Sequence, residues 1–399
     1  MAGKFIKAVL PSVVLPMAAG QIYAFTVFSD DIAHHISSYD NFVTTSQVQF
    51  AFSLGIFFLG LGAACFGGFV ERHTRLSTLF GTTLFVFGLL VTEMGVVDRS
   101  IRLIYAGYGF LVGTGTGILY ISPVKTMMLW FRRNKALAAA LPIVMFGLGS
   151  SVTTLIYGHI GGNGITYGFT WLAMLYAAPM YAASLMIDRP GGGVGAQPPD
   201  ARAFSYRRTL ADPRFVRLWT FMFLNISCGL CLIPLAKQMM ARDAAGFSEQ
   251  TIAALVLLQG LVNAGGRLVF VWLSDRLANR VDIMLPIVAI PLVTMGASLF
   301  PSAIGLVMLV VIACFGAGFA VIPAVIADLY GLDDLSKVHG AVLSAWGVAG
   351  LVGNQLSILV SDRLGFGNVG VIALLMTLYA LNYLNACSLR NPAVRPRPR

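Results

Sequence analysis

Residues Thr251–Leu273 read TIAALVLLQGLVNAGGRLVFVWL, a run of membrane-spanning length broken by a single full charge, Arg267. An α-helix needs about 20 apolar residues to cross the hydrocarbon core. A guanidinium cannot shed its proton, and at mid-membrane it costs at least ~3 kcal/mol on insertion scales. Such a charge is retained for one of two reasons. It faces a water-filled path and meets an anion, or it pairs with a carboxylate of another helix and holds the bundle together. The apolar stretches contain few carboxylates, which favours the first reason.

The chain around this stretch has 399 residues, of which 57% are hydrophobic and 11% charged, with a mean hydropathy of +0.79. A soluble domain carries about 25% charged residues, so this composition belongs to a polytopic membrane protein. The formal charge of +10 does not point to nucleic acid, because the basic residues sit in short runs between apolar spans. The five cysteines, Cys65, Cys228, Cys231, Cys314 and Cys387, all fall in apolar stretches, as does the glycosylation-type triplet at Asn225. Neither a disulfide framework nor a metal site is expected, and the Cys228-x-x-Cys231 pair reads as small core residues.

Twelve apolar spans follow, at about 8–29, 46–70, 76–97, 103–131, 136–160, 165–187, 215–241, 250–273, 283–300, 303–327, 340–361 and 368–388. The first follows Lys4 and Lys7, yet its apolar run is too long for a signal peptide and is expected to remain as a helix. Alternate loops share lysine and arginine unequally, with twenty on the side of the N-terminus and four on the other. That bias places both termini in the cytoplasm and leaves Lys125, Lys237 and Arg267 at membrane depth. A Gly-, Pro- and Arg-rich segment divides the chain into a six-helix bundle at 1–187, a cytoplasmic linker at 188–214, a second bundle at 215–390 and a basic tail at 391–399.

The two bundles resemble each other at a constant offset: Pro123 falls on Pro323, Trp130 on Tyr330 and Gly147 on Gly347. Glu71, Arg72 and Arg75 after the second span answer Asp275, Arg276 and Arg280 after the eighth. These matches indicate a duplicated six-helix unit. Parallel repeats with a central site describe the all-α major facilitator fold. The acidic-basic loops suit a cytoplasmic gate, in which a carboxylate and guanidiniums bridge helix ends and release them as the halves rock. Glycines at 107, 109, 113, 115 and 117, and at 316 and 318, offer faces for close helix approach.

Asn263-Ala-Gly-Gly-Arg267, followed by Ser274-Asp275-Arg276 and Arg280, resembles the eighth-span signature of the oxalate/formate antiporter family of the major facilitator superfamily. Gly20-Gln-Ile-Tyr23, Gly115-Thr-Gly-Ile-Leu-Tyr120 with Trp130-Phe131, and Tyr330-Gly331 with Ala345-Trp346-Gly347 resemble it too, so the similarity spans nearly the whole chain. The resemblance implies transport of small carboxylates, with Arg267 in the place of the family's substrate-binding arginine and Tyr23 and Tyr120 in the place of cavity tyrosines. Asn263 belongs to the same signature. Where the oxalate carrier has a second cation between an alanine and a glycine, this chain has Trp346. One arginine with an aromatic wall suits a monocarboxylate of the lactate, pyruvate or formate type. Lys125 is either a replacement second cation or a side chain snorkelling to the cytoplasmic interface.

The expected activity is therefore secondary transport of a monocarboxylate by alternating access in the cell membrane, coupled to a proton. The alternatives are obligate anion exchange and a non-transporting membrane sensor. Proton symport needs a titratable group on the path; Asp243 is the first candidate, with Glu93 and Asp328 also near span ends, and none of the five histidines is assigned. No nucleophile-base arrangement or metal cluster suggests an enzyme. The expected partners are the carboxylate, a proton or counter-anion and lipid, with a monomeric carrier and neither a cofactor nor nucleic acid.

Overall fold

The computed structural model describes residues 2–37, 42–160, 166–190, 205–232, 249–299, 303–360 and 364–390. Among these the regular elements are helical throughout, and helices fall on each of the twelve expected spans. They are α1 (Phe5–Ile36), α2 (Thr45–Arg72), α3 (Thr74–Val97), α4 (Ile101–Trp130), α5 (Lys135–Ile160) and α6 (Gly168–Met186), then α7 (Pro213–Leu232), α8 (Glu249–Ser274), α9 (Met284–Met295), α10 (Ile304–Tyr330), α11 (Leu335–Ile358) and α12 (Gly367–Leu389). Among the described residues, ten helices are long and apolar enough to cross a membrane.

Packing divides the chain into two units. Met1–Phe204 clusters with Leu332–Gly347, and Ser205–Gly331 clusters with Val348–Arg399. In the first unit α4 packs on α2, α3 and α1, while α6 packs on α1 and α3. In the second, α10 packs on α8, α9 and α7, while α12 packs on α7 and α9. Each of these pairs in the first unit recurs six helices later in the second, which is the packing counterpart of the sequence duplication.

The central helix of each unit has no polar stripe, as expected for a helix enclosed on all sides. Every residue of α4 from Gly113 to Met128 is buried, and so is every residue of α10 from 314 to 327. Small residues let the backbones approach. A Cβ on Gly113 would lie 2.5 Å from the Gly55 carbonyl oxygen of α2, and one on Gly115 would lie 2.6 Å from that of Gly81 in α3.

Helix ends are secured by local chemistry. Thr44 and Gln47 form a reciprocal capping box at the start of α2, with Gln47 Oε1 accepting from the Thr44 amide at 2.8 Å. At the start of α6, Tyr167 adopts a left-handed conformation with φ 85°. The turn aims three amides at Glu93 of α3, which accepts from Tyr167 at 2.7 Å, Phe169 at 2.9 Å and Thr170 at 3.1 Å. Glu93 thus caps a helix N-terminus, where the macrodipole favours a carboxylate. Replacing Glu93 with Ala strands buried donors and should cost roughly 1–3 kcal/mol. The expected result is a lower unfolding temperature for purified Glu93→Ala in detergent, with Glu93→Gln intermediate.

Candidate functional site

In the first unit, Tyr23, Tyr120 and Trp346 come together. Pro16 interrupts α1, and the helix tightens through Gly20–Ala24, the segment that carries Tyr23. Gly20 lies directly against the Phe146 carbonyl of α5, too close for any side chain, and this holds Phe146 beside Tyr23. The Tyr23 ring stacks on Trp346 with centroids 6.3 Å apart and meets Phe146 edge-on at 5.9 Å and Phe52 of α2 at 5.8 Å. Tyr120 stands edge-on to Phe146 at 5.1 Å and to Trp346 at 5.5 Å. Trp346 is 1% exposed and Tyr120 2%. Offset and edge-to-face pairs of this kind contribute beyond their buried area, so the box is a preformed aromatic wall. Phe52, Phe146 and His339, whose ring lies 6.0 Å from Tyr120, also belong to it. Sequence reasoning passed over all three; His339 is legible only as the residue seven before Trp346, on the same face of α11.

α11 reaches this box because its first turns lie flush on α2. A Cβ on Gly67 would sit 2.7 Å from the Ser336 oxygen, and one on Gly347 would sit 2.7 Å from the Phe57 oxygen, while Gly340 abuts Ala63.

One end of the first unit carries a charge cluster centred on Glu71. Its carboxylate pairs with Lys125 of α4 and accepts from the Ser336 amide, in the first turn of α11, at 3.2 Å. Arg189 donates to the Glu71 carbonyl at 3.0 Å, and Lys125 donates to the Asp333 carbonyl at 2.8 Å. Burial pulls the Arg189 guanidinium below its ordinary pKa, and the Glu71 charge opposes the shift. Lys125 is 3% exposed, with its ammonium held by the Glu71 carboxylate and the Asp333 carbonyl. Asp188 ties the same end together, pairing with Lys7 at 2.9 Å and Arg75 at 3.4 Å while its carbonyl accepts from Trp130 at 2.8 Å.

In the second unit, Arg267 lies in α8 at 6% exposure, next to Gly266, whose α-carbon abuts the Ala313 carbonyl of α10. Asn263, one turn earlier, donates to the Ile312 carbonyl at 3.4 Å. The carboxylates of Asp275 and Asp328 both hold Arg280, the former at 2.7 Å, and so link the end of α8 to α10.

Of the expected gate residues, then, Glu71, Asp275 and Arg280 carry inter-helix pairs and Arg75 binds Asp188. Arg72 is exposed, and the Arg276 guanidinium stacks 3.3 Å from the Trp272 ring of its own helix. Lys125, Arg189 and Asp328 complete the clusters in their stead. Asp243 lies outside the described residues.

A fold with this duplicated packing, buried charges at helix ends and a buried arginine in α8 is that of a membrane carrier. A sequence profile of the Major Facilitator Superfamily matches residues 9–353, and the chain belongs to that family of transporters. It is similar to the uncharacterized MFS-type transporter YhjX of Escherichia coli, 25% identical over 85% of this chain and 84% of that one. It is likewise similar to the oxalate:formate antiporter of Oxalobacter formigenes, 24% identical over 95% and 90%, and to monocarboxylate transporter 12 of Xenopus laevis, 23% over 75% and 71%. A bacterial homologue of the iron transporter ferroportin shares the fold with a TM-score of 0.75 at 13% identity, over 95% of this chain and 98% of that one.

The Glu71–Lys125 pair yields a stability prediction. Removing one partner of a buried ion pair costs about 3–5 kcal/mol, whereas removing both together costs far less. Lys125→Met should therefore unfold at a markedly lower temperature in a detergent melt, and Glu71→Gln with Lys125→Met should recover most of the loss.

Proposed function

We propose that this transporter carries small monocarboxylates of the lactate, pyruvate or formate type by alternating access, coupled to a proton. In this reading Arg267 binds the carboxylate, Tyr23 or Tyr120 hydrogen-bonds to it, and Trp346 and Asn263 are further substrate-binding residues. The carrying observation is a buried guanidinium in the eighth helix of a chain whose relatives include an oxalate:formate antiporter and a monocarboxylate transporter. The Lys125 contacts support a single-cation reading, because its ammonium is already committed to Glu71 and the Asp333 carbonyl. A dicarboxylate asks for two cations, and Trp346 supplies none. In the same reading, the Glu71 and Asp275–Arg280–Asp328 clusters act as gates that hold helix ends together in one state and release them in the other.

A planar guanidinium grips a carboxylate through two parallel hydrogen bonds, which an ammonium cannot reproduce. Arg267→Lys should thus lose most uptake of labelled L-lactate into proteoliposomes driven by an inward proton gradient; near-wild-type uptake overturns the assignment. Similarity to the oxalate:formate antiporter favours exchange as the second reading. Uptake that appears only in vesicles preloaded with lactate, formate or oxalate selects it over symport.

A further inference from the structure

Among the described residues, His339 is a histidine that meets the aromatic box. It is 1% exposed, on the face of α11 that also carries Ser336, Gly340 and Trp346. The spacing puts it about 10 Å along the helix from Trp346 and one turn from Ser336. Tyr120 of α4 bridges the two rings, 6.0 Å from His339 and 5.5 Å from Trp346.

Tyr120 from α4 meets the imidazole, and Tyr23 from α1 meets Trp346. Glu71 of α2 is the acid at the next turn, and it is committed to Lys125, Arg189 and the Ser336 amide. No carboxylate pairs with His339 among the described residues. A buried imidazolium without a counter-charge is costly, so an empty carrier keeps this ring neutral. An anion seated against Tyr120 supplies the missing negative charge and makes protonation favourable. Binding of the anion and of the proton then reinforce each other, because such coupling is reciprocal.

From this geometry we infer that His339 is the proton-binding group of the carrier: one ring nitrogen accepts a proton from the side on which the carboxylate enters and returns it where the carboxylate leaves. The inference rests on the proton-coupled reading above. An N–H bond forms on the ring where the proton is taken up and breaks where it is released; one anion and one proton cross together, so the step moves no net charge. Arg267 keeps its charge throughout and selects the anion, while His339 sets the stoichiometry.

The test compares wild type with His339→Gln, which preserves size and hydrogen bonding but cannot carry the charge. In 1:1 coupling, an inward gradient of one pH unit drives roughly tenfold accumulation of labelled L-lactate in wild-type proteoliposomes. His339→Gln is expected to lose this tenfold accumulation of L-lactate. Accumulation and a pH profile equal to wild type in His339→Gln overturn the assignment and leave proton coupling standing. Absence of gradient-driven accumulation in wild type itself overturns the proton-coupled reading, and this inference with it. Should His339→Gln also lose lactate-lactate counterflow, proton uptake by the two carriers on adding L-lactate, followed with a pH indicator in detergent, decides the matter. Uptake present in wild type and missing from His339→Gln supports His339, and uptake that is equal in the two or absent from both overturns it.

Discussion

A charge inside an apolar helix bundle must be compensated where it stands, because neither water nor lipid can compensate it there. That constraint organises this transporter. Glu71 gathers Lys125, Arg189 and the first turn of α11, and Asp275 with Asp328 gathers Arg280. Glu93 spends its charge on three backbone amides at the start of α6. Each cluster joins elements distant in sequence, so the charges that seem least compatible with a membrane locate the tightest joints of each unit.

Close backbone approach is the second constraint. Helix association in lipid relies on packing and buried hydrogen bonds, and both need small residues at the crossings. Gly20 against α5, Gly113 and Gly117 against α2, and Gly67, Gly340 and Gly347 along the α2–α11 seam serve this purpose. The same seam delivers Trp346 and His339 to the aromatic box and Ser336 to Glu71. α11 is thus hydrogen-bonded at its first turn to the Glu71 carboxylate and carries rings of the aromatic box further along.

The two units use one packing scheme with different chemistry. The α2–α4 crossing is closed by a carboxylate on α2 and a lysine on α4; the α8–α10 crossing is closed by carboxylates on both helices with Arg280 between them. Arg267 and the aromatic wall fall in different units.

How much of this was legible in the sequence follows from the range of each interaction. Hydrophobic span length placed helices on all twelve segments, and the offset matches announced the repeat, because both depend on local composition alone. The motif residues Tyr23, Tyr120 and Trp346 were also legible as a group, through resemblance. Partners were not. Glu71 and Lys125 lie 54 residues apart, and nothing in either local sequence distinguishes a paired lysine from a snorkelling one. Phe146 reads as an ordinary span residue and His339 as a span-end histidine until α5 and α11 are brought against α1 and α4. The amino-acid sequence by itself determined the class, the number of helices and the family of this protein. Only tertiary packing decided which charges neutralise one another and which rings meet, because those choices are made between helices, at contacts that local sequence does not encode.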